Sequence, residues 1–220
     1  MTETALALML AWLLAFHLLP ARAPLALRIA VVFALGWGAL GGAAHVAAAA
    51  ALGHTAVALA AKRLPAHLWS YLGTQAAHAL VILAVLLWMP GAYADGLWAA
   101  YAPTLTPVAV MLGGVIAATL MGGPAVGLLM APWRAAAQIE GLDNAGRIIG
   151  LMERALIYLM VMIGEPTGIG FLIAAKSILR FETASRDQKA SEYVIIGTLA
   201  SFGWALAWGF AAQSLIAMLR

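Results

Sequence analysis

The chain has no cysteine and few charges: Asp, Glu, Lys and Arg make up only 10% of its 220 residues. Without thiols there are no disulfides, no thiolate catalysis and no cysteine-held iron–sulfur cluster. No Asp or Glu occurs between Glu3 and Asp95. That stretch therefore lacks the carboxylate that hydrolytic metal sites normally place beside their imidazoles. A phosphate-binding loop, a serine nucleophile elbow, a His-Glu-x-x-His pair and a regular arginine ladder are also missing. No segment is both polar enough and long enough to form a separate soluble domain.

What is present is apolar. Hydrophobic residues reach 65% and mean hydropathy is +0.96, whereas soluble domains are roughly one-quarter charged. Such a chain has no aqueous surface to offer, so the bilayer is its solvent. The expected fold is all-α: a polytopic transmembrane helical bundle forming a single domain over residues 1–220. At roughly 20 residues per span, about six to eight spans fit. The formal charge of +3 and pI near 9.5 read as an orientation signal for a multi-pass inner-membrane protein, not as a nucleic-acid patch.

The first span is expected at about Ala5–Leu19, stopped by Pro20 and retained rather than cleaved as a leader. The apolar stretch Leu25–Ala61 is too long for one span. It breaks best at Gly36–Trp37–Gly38 and Gly41–Gly42, giving two short spans or a re-entrant pair. Further spans are expected over Leu68–Leu87, Pro107–Met130, Arg147–Ile163, Ile169–Arg180 and Ser191–Met218, with a charged loop at Phe181–Ala190. Arg22, Arg28, Lys62, Arg63, Arg134, Arg147, Arg180, Arg186 and Lys189 fall at alternate span ends, opposite Glu3, Asp95 and Glu165. The positive-inside rule then puts both termini in the periplasm.

Two constellations stand out. Glu153 and Arg154 lie inside one span and Lys176 inside the next. By helix rise, Glu153 sits roughly 9 Å from Arg147 and Lys176 about 6 Å from Arg180, so antiparallel neighbours bring Glu153 and Lys176 to similar depths. A charge in hydrocarbon costs about 2.5–3.5 kcal/mol on insertion scales, which favours pairing. One reading is a structural ion pair locking a hairpin, with Arg154 and Arg180 snorkelling to the interface. The other is a proton or anion pathway lined by Arg147, Glu153, Arg154, Lys176, Arg180 and Glu192. The second constellation is His17, His54 and His78 in apolar spans, with Gln75 on the His78 face. Hydrogen-bonded packing histidines compete here with a haem or metal pair. The expectation adopted is no resident cofactor.

The stretches GRIIGLMERALIYL, IGFLIAAKSILRF and SEYVIIGTLASF, covering most of Gly146–Phe202, resemble the bacterial membrane family called domain of unknown function 3307. HLLPARAPL, HTAVALAAK and TQAAHALV extend the likeness more weakly. The family's patterns are similar to His-x-x-x-Asp, His-x-x-x-Asp followed by Lys, and Asp-Gln-x-x-His. His17, His54, Lys62, Gln75 and His78 match them, while Ala21, Ala58 and Thr74 stand where the acidic residues would be. The resemblance implies a membrane-bound metal-dependent hydrolase fold, here in a divergent member that keeps the imidazoles without the carboxylates.

The leading functional expectation is a non-enzymatic accessory or scaffold subunit that packs against partner spans or against its own copies. Its eight tryptophans and many small-residue faces suit lateral association. The alternatives are a membrane-embedded hydrolase borrowing Asp143 or Glu153, and a small transporter using the Glu153–Lys176 neighbourhood.

Overall fold

Apolar runs punctuated by Pro and Gly become helices because, in lipid, every backbone N–H and C=O must find its partner within its own segment. A computed structural model describes residues 1–20, 23–137, 144–184 and 188–219. It is 84% helical, with no strand among the described residues. Four helices are long and apolar enough to cross a membrane: Ala44–Ala61, Leu68–Trp88, Ala99–Trp133 and Gln188–Met218. Shorter apolar helices cover Thr2–Leu18, Leu25–Ala39 and Thr167–Lys176. The chain divides into two compact units, Met1–Ile116 and Ala117–Arg220.

The first unit opens with α1 (Thr2–Leu13), which widens into a π-helical turn at Leu14–Leu18 before Pro20. Next come α2 (Leu25–Ala39), α3 (Ala44–Ala61), α4 (Leu68–Trp88) and α5 (Ala102–Ile116). The long stretch from Leu25 to Ala61 breaks once, at Gly41–Gly42, whose φ angles of 69° and 123° suit glycine and strain other residues. Gly36–Trp37–Gly38, also expected as a break, stays helical. Isolated glycines weaken a helix without ending it, and Gly36 lets Ala47 of α3 pack against α2.

One end of this unit is laced together. Thr4 Oγ1 donates to the Pro90 carbonyl at 3.1 Å and accepts from the Tyr93 amide at 3.2 Å. Trp98 Nε1 donates to the Gly38 carbonyl at 2.6 Å, and the Leu97 amide donates to Gly41. This end holds Glu3 and Asp95, whereas Arg28, Lys62 and Arg63 belong to the other ends of their helices.

The second unit continues the α5 helix through a π-helical turn at Ala117–Met121 into α6 (Gly122–Met130). After α7 (Arg134–Ala137) come α8 (Ala145–Met162), α9 (Thr167–Ala184) and α10 (Gln188–Met218). The helix containing Pro107 starts earlier than expected, because a proline near a helix start removes only one internal hydrogen bond. The charged loop expected at Phe181–Ala190 is corrected for residues 181–184 and 188–190, which are helical, while 185–187 lie outside the described residues. α9 runs to Ala184 and α10 begins at Gln188. No Gly or Pro lies between Gly170 and Gly197, and charge alone does not stop a helix.

The central charges of α8 face inward and much of its apolar surface faces outward. Glu153, Arg154, Ile157, Tyr158 and Val161 are buried, while Ile148, Leu151, Met152, Leu156 and Leu159 are exposed. In water that arrangement would be inverted; a lipid solvent accounts for it. Ile157, Val161, Ile169, Phe202 and Ala205 form the core of the unit.

Candidate functional site

The charged cluster of the second unit is built around α8. Lys176 Nζ of α9 donates to Glu153 Oε2 at 2.7 Å, both side chains being largely buried. The ammonium also lies 5.4 Å from the centre of the Phe202 ring, within cation–π range. The short turn between α8 and α9 brings the two helices back to back, and helix rise does the rest.

Arg154 does not snorkel. It is 4% exposed, and all three guanidinium nitrogens are used. Nε and Nη2 donate to the Thr119 carbonyl at 3.3 and 3.1 Å, and Nη1 donates to Ser201 Oγ at 3.1 Å. The cause lies in the Gly122–Gly123–Pro124 run. Pro124 has no N–H for the carbonyls of the preceding turn, and that turn, Ala117–Met121, is π-helical, so its carbonyls depart from the regular α-helical ladder. Arg154 takes one of them, and Trp204 Nε1 takes another, the Ala117 carbonyl, at 2.9 Å. Gly122 makes the room: a Cβ there would stand 2.9 Å from Arg154 Cδ and 2.7 Å from the Trp204 ring.

Arg147 and Glu192, two further members of the expected pathway, are not brought to this pair. Arg147 is exposed at the start of α8. Glu192 is exposed and accepts from Gln188 Nε2 at 2.9 Å, one turn away. The Arg180 side chain, Ala21, Arg22, Glu140, Asp143 and Arg186 lie outside the described residues. Thr119, Ser201, Trp204 and Gly122 were not singled out by sequence. The proline five residues after Thr119 was the available signal.

The histidines of the first unit do converge. His54 of α3 and His78 of α4 are both buried, and their Nδ1 atoms stand 2.9 Å apart. One ring therefore donates an N–H to the other's lone pair. Trp12 of α1 stacks on His54 at 5.9 Å between centres and 13°, and lies 5.1 Å from His78 and 5.9 Å from His17. Phe16 closes the other side, 4.9 Å from His78. Gln75 lies against His17. Trp12 and Phe16, four residues apart on one helix face, were missed because an aromatic pair at that spacing usually means only packing.

The two Nδ1 atoms of His54 and His78 do not bracket a divalent ion at this spacing. Two imidazole nitrogens on one zinc would be about 3.3 Å apart or more, given Zn–N bonds near 2.0–2.1 Å, whereas these two share a proton at 2.9 Å. Thr74, standing at an acidic position of the resemblance, spends its hydroxyl on the Ser70 carbonyl at 2.8 Å. No group of three His, Cys, Asp or Glu side chains suited to a metal occurs among the described residues. His45 and His67 stand apart, His45 against Trp88 and His67 accepting from the Trp69 amide as a helix cap. No family model, curated protein or solved structure matches this chain.

Proposed function

We propose that the chain is a non-enzymatic, multi-pass protein of a bacterial inner membrane that serves as an accessory or scaffold subunit, packing laterally against partner spans or its own copies. The observation that carries this reading is a row of small residues on α10. Gly203, Ala207 and Ala211 follow one another at four-residue spacing and are exposed, while Ala205, Gly209 and Ala212 of the same helix are buried. Small residues at four-residue spacing let a second helix approach closely, which is the main source of helix association in lipid. The internal row is already used in this way, Gly209 lying against Val161. The buried charges support the same reading, since Glu153, Lys176 and Arg154 are spent on neighbouring helices. The proposal retains the divergent-family resemblance as the origin of the fold, without its hydrolytic site.

Replacing Gly203 and Ala207 together by Leu is expected to lower the amount of co-purified partner or oligomer at least tenfold in mild detergent, with thermal stability unchanged. Because the chain has no cysteine, an Ala207→Cys variant gives an unambiguous cross-linking readout in native membranes. Undiminished association in the double Leu variant would refute the assignment of this face.

The six-to-eight-span topology with periplasmic termini belongs to the same proposal, supported by the separation of acidic and basic ends in the first unit. Reporter fusions after Gly96 and Asp187 are expected to give opposite signals, periplasmic and cytoplasmic respectively. Equal signals would overturn the orientation.

A further inference from the structure

Three basic side chains are spent within the protein. Arg28 gives its guanidinium to the Phe16 and Pro20 carbonyls, Arg154 to Thr119 and Ser201, and Lys176 gives its ammonium to Glu153. Lys62 and Arg63 differ. They stand side by side at the C-terminal end of α3, both exposed, and neither makes an ion pair among the described residues. The turn they open is held by its own backbone: the Arg63 and Leu64 amides donate to the Ala60 and Ala61 carbonyls at 3.1 Å each, and the His67 amide donates to Pro65 at 2.9 Å. His67 accepts from the Trp69 amide through Nδ1. Its neutral ring then carries the proton on Nε2, a further donor on an exposed side chain.

This turn joins two helices long and apolar enough to cross a membrane, Ala44–Ala61 and Leu68–Trp88. Lys62 follows the first of them directly, and each helical residue advances the chain by only about 1.5 Å. Both cations therefore stand at the edge of the hydrocarbon, at the level of the lipid phosphates. Leu64 and Trp69, on the same turn, are 50% and 72% exposed. Both suit the boundary between headgroups and acyl chains, where tryptophan is enriched. The side-chain chemistry then selects the headgroup. Lys62, Arg63 and His67 Nε2 are donors, and no Asp or Glu occurs between Glu3 and Asp95. A zwitterionic headgroup brings an ammonium along with its phosphate, and the two cations repel it with no carboxylate to receive it. An anionic headgroup brings the phosphate without that ammonium.

We propose that the Lys62–Trp69 turn is a binding site for an anionic phospholipid, with Lys62, Arg63 and the His67 Nε2 hydrogen serving the phosphate and with Leu64 and Trp69 against the glycerol and the first carbons of the acyl chains. The site rests on the membrane reading of the chain, holds for either leaflet and is independent of the α10 face. Each cation beside an anionic lipid surface strengthens association about fivefold, so the pair accounts for a preference of about 25-fold over a zwitterionic lipid. Exposed charges are screened by salt, and the preference shrinks as ionic strength rises.

The test uses the full chain in phosphatidylcholine nanodiscs. Because the chain has no cysteine, Ala66→Cys on the exposed turn accepts a single fluorescent label. Quenching is titrated with phosphatidylglycerol or phosphatidylethanolamine, each carrying a nitroxide high on one acyl chain. Half-quenching is expected at an about 25-fold lower mole fraction of phosphatidylglycerol at low salt, with a smaller difference at high salt. Lys62→Gln combined with Arg63→Gln should bring the two lipids nearly together without changing thermal stability, since both side chains are exposed. Lys62→Arg combined with Arg63→Lys keeps both charges and should keep the preference. Equal quenching by the two lipids in the labelled parent, or an undiminished preference in the uncharged pair, would overturn the site. Soluble glycerol phosphate in excess should leave the quenching unchanged; relief of quenching would assign the turn to free phosphate and overturn the lipid. Cross-linking through Ala207→Cys should be the same with and without the two charges, so a failure here and a failure of the scaffold reading are told apart.

Discussion

Lys176→Met is expected to destabilise the protein in detergent by on the order of 3–5 kcal/mol, the cost of leaving one member of a buried ion pair alone. The side chains of Lys176 and Glu153 retain only 16% and 11% of their exposure, so water does little to screen a stranded carboxylate. Glu153→Gln is expected to cost somewhat less, since the amide oxygen still accepts from the ammonium. The ammonium also keeps its place over Phe202. Glu153→Gln with Lys176→Met should recover much of the loss, because an uncharged pair carries no desolvation cost and the Met side chain fits the apolar surroundings. A thermal or denaturant double-mutant cycle with coupling near zero would show that each charge is satisfied on its own, and the hairpin lock would be wrong.

Arg154→Met is expected to cost a comparable amount, also on the order of 3–5 kcal/mol, and for a different reason. The loss falls on the partners: the buried Thr119 carbonyl and Ser201 hydroxyl lose the hydrogen bonds that the guanidinium gives them. Hydrogen bonds to a charged group contribute about 1.5–3 kcal/mol each. Arg154→Lys is expected to restore only a minority of the loss. One ammonium on a shorter reach cannot serve a carbonyl and a hydroxyl in the fork geometry that the guanidinium provides. Full stability in Arg154→Met would mean that the π-helical turn closes on itself without the arginine. Gly122→Ala gives an independent reading of the same arrangement. Its Cβ competes with the Arg154 and Trp204 side chains, so it should destabilise in the wild type and much less in the Arg154→Met background.

Sequence spacing alone was enough to bring Glu153 to Lys176, since helix rise and a short turn leave little freedom in which depths meet. The same reasoning failed for Arg154, one residue along. Counting along α8 says how deep a side chain starts, but not whether an acceptor stands within its reach. That acceptor arises on another helix, from a proline that leaves a turn without its N–H. In the first unit, the shared helix face of Gln75 and His78 followed from their three-residue spacing. The pairing of His78 with His54, and the place of Trp12 between three imidazoles, did not. They depend on the rotation of α1, α3 and α4 about their own axes, to which no local pattern in alanine-rich helices responds.

By itself the sequence determined the solvent and where most of the helices lie. Long apolar runs demand helices in lipid, and Pro and Gly mark many of the places where they turn, both being properties of a segment taken alone. Only the tertiary structure decided which polar groups are spent. Whether Arg154 reaches the interface or a buried carbonyl, and whether His54 meets a metal, a water or His78, depends on which helix faces meet. In a chain with this little polarity, a hydrogen bond between helices outweighs any preference that the individual residue expresses.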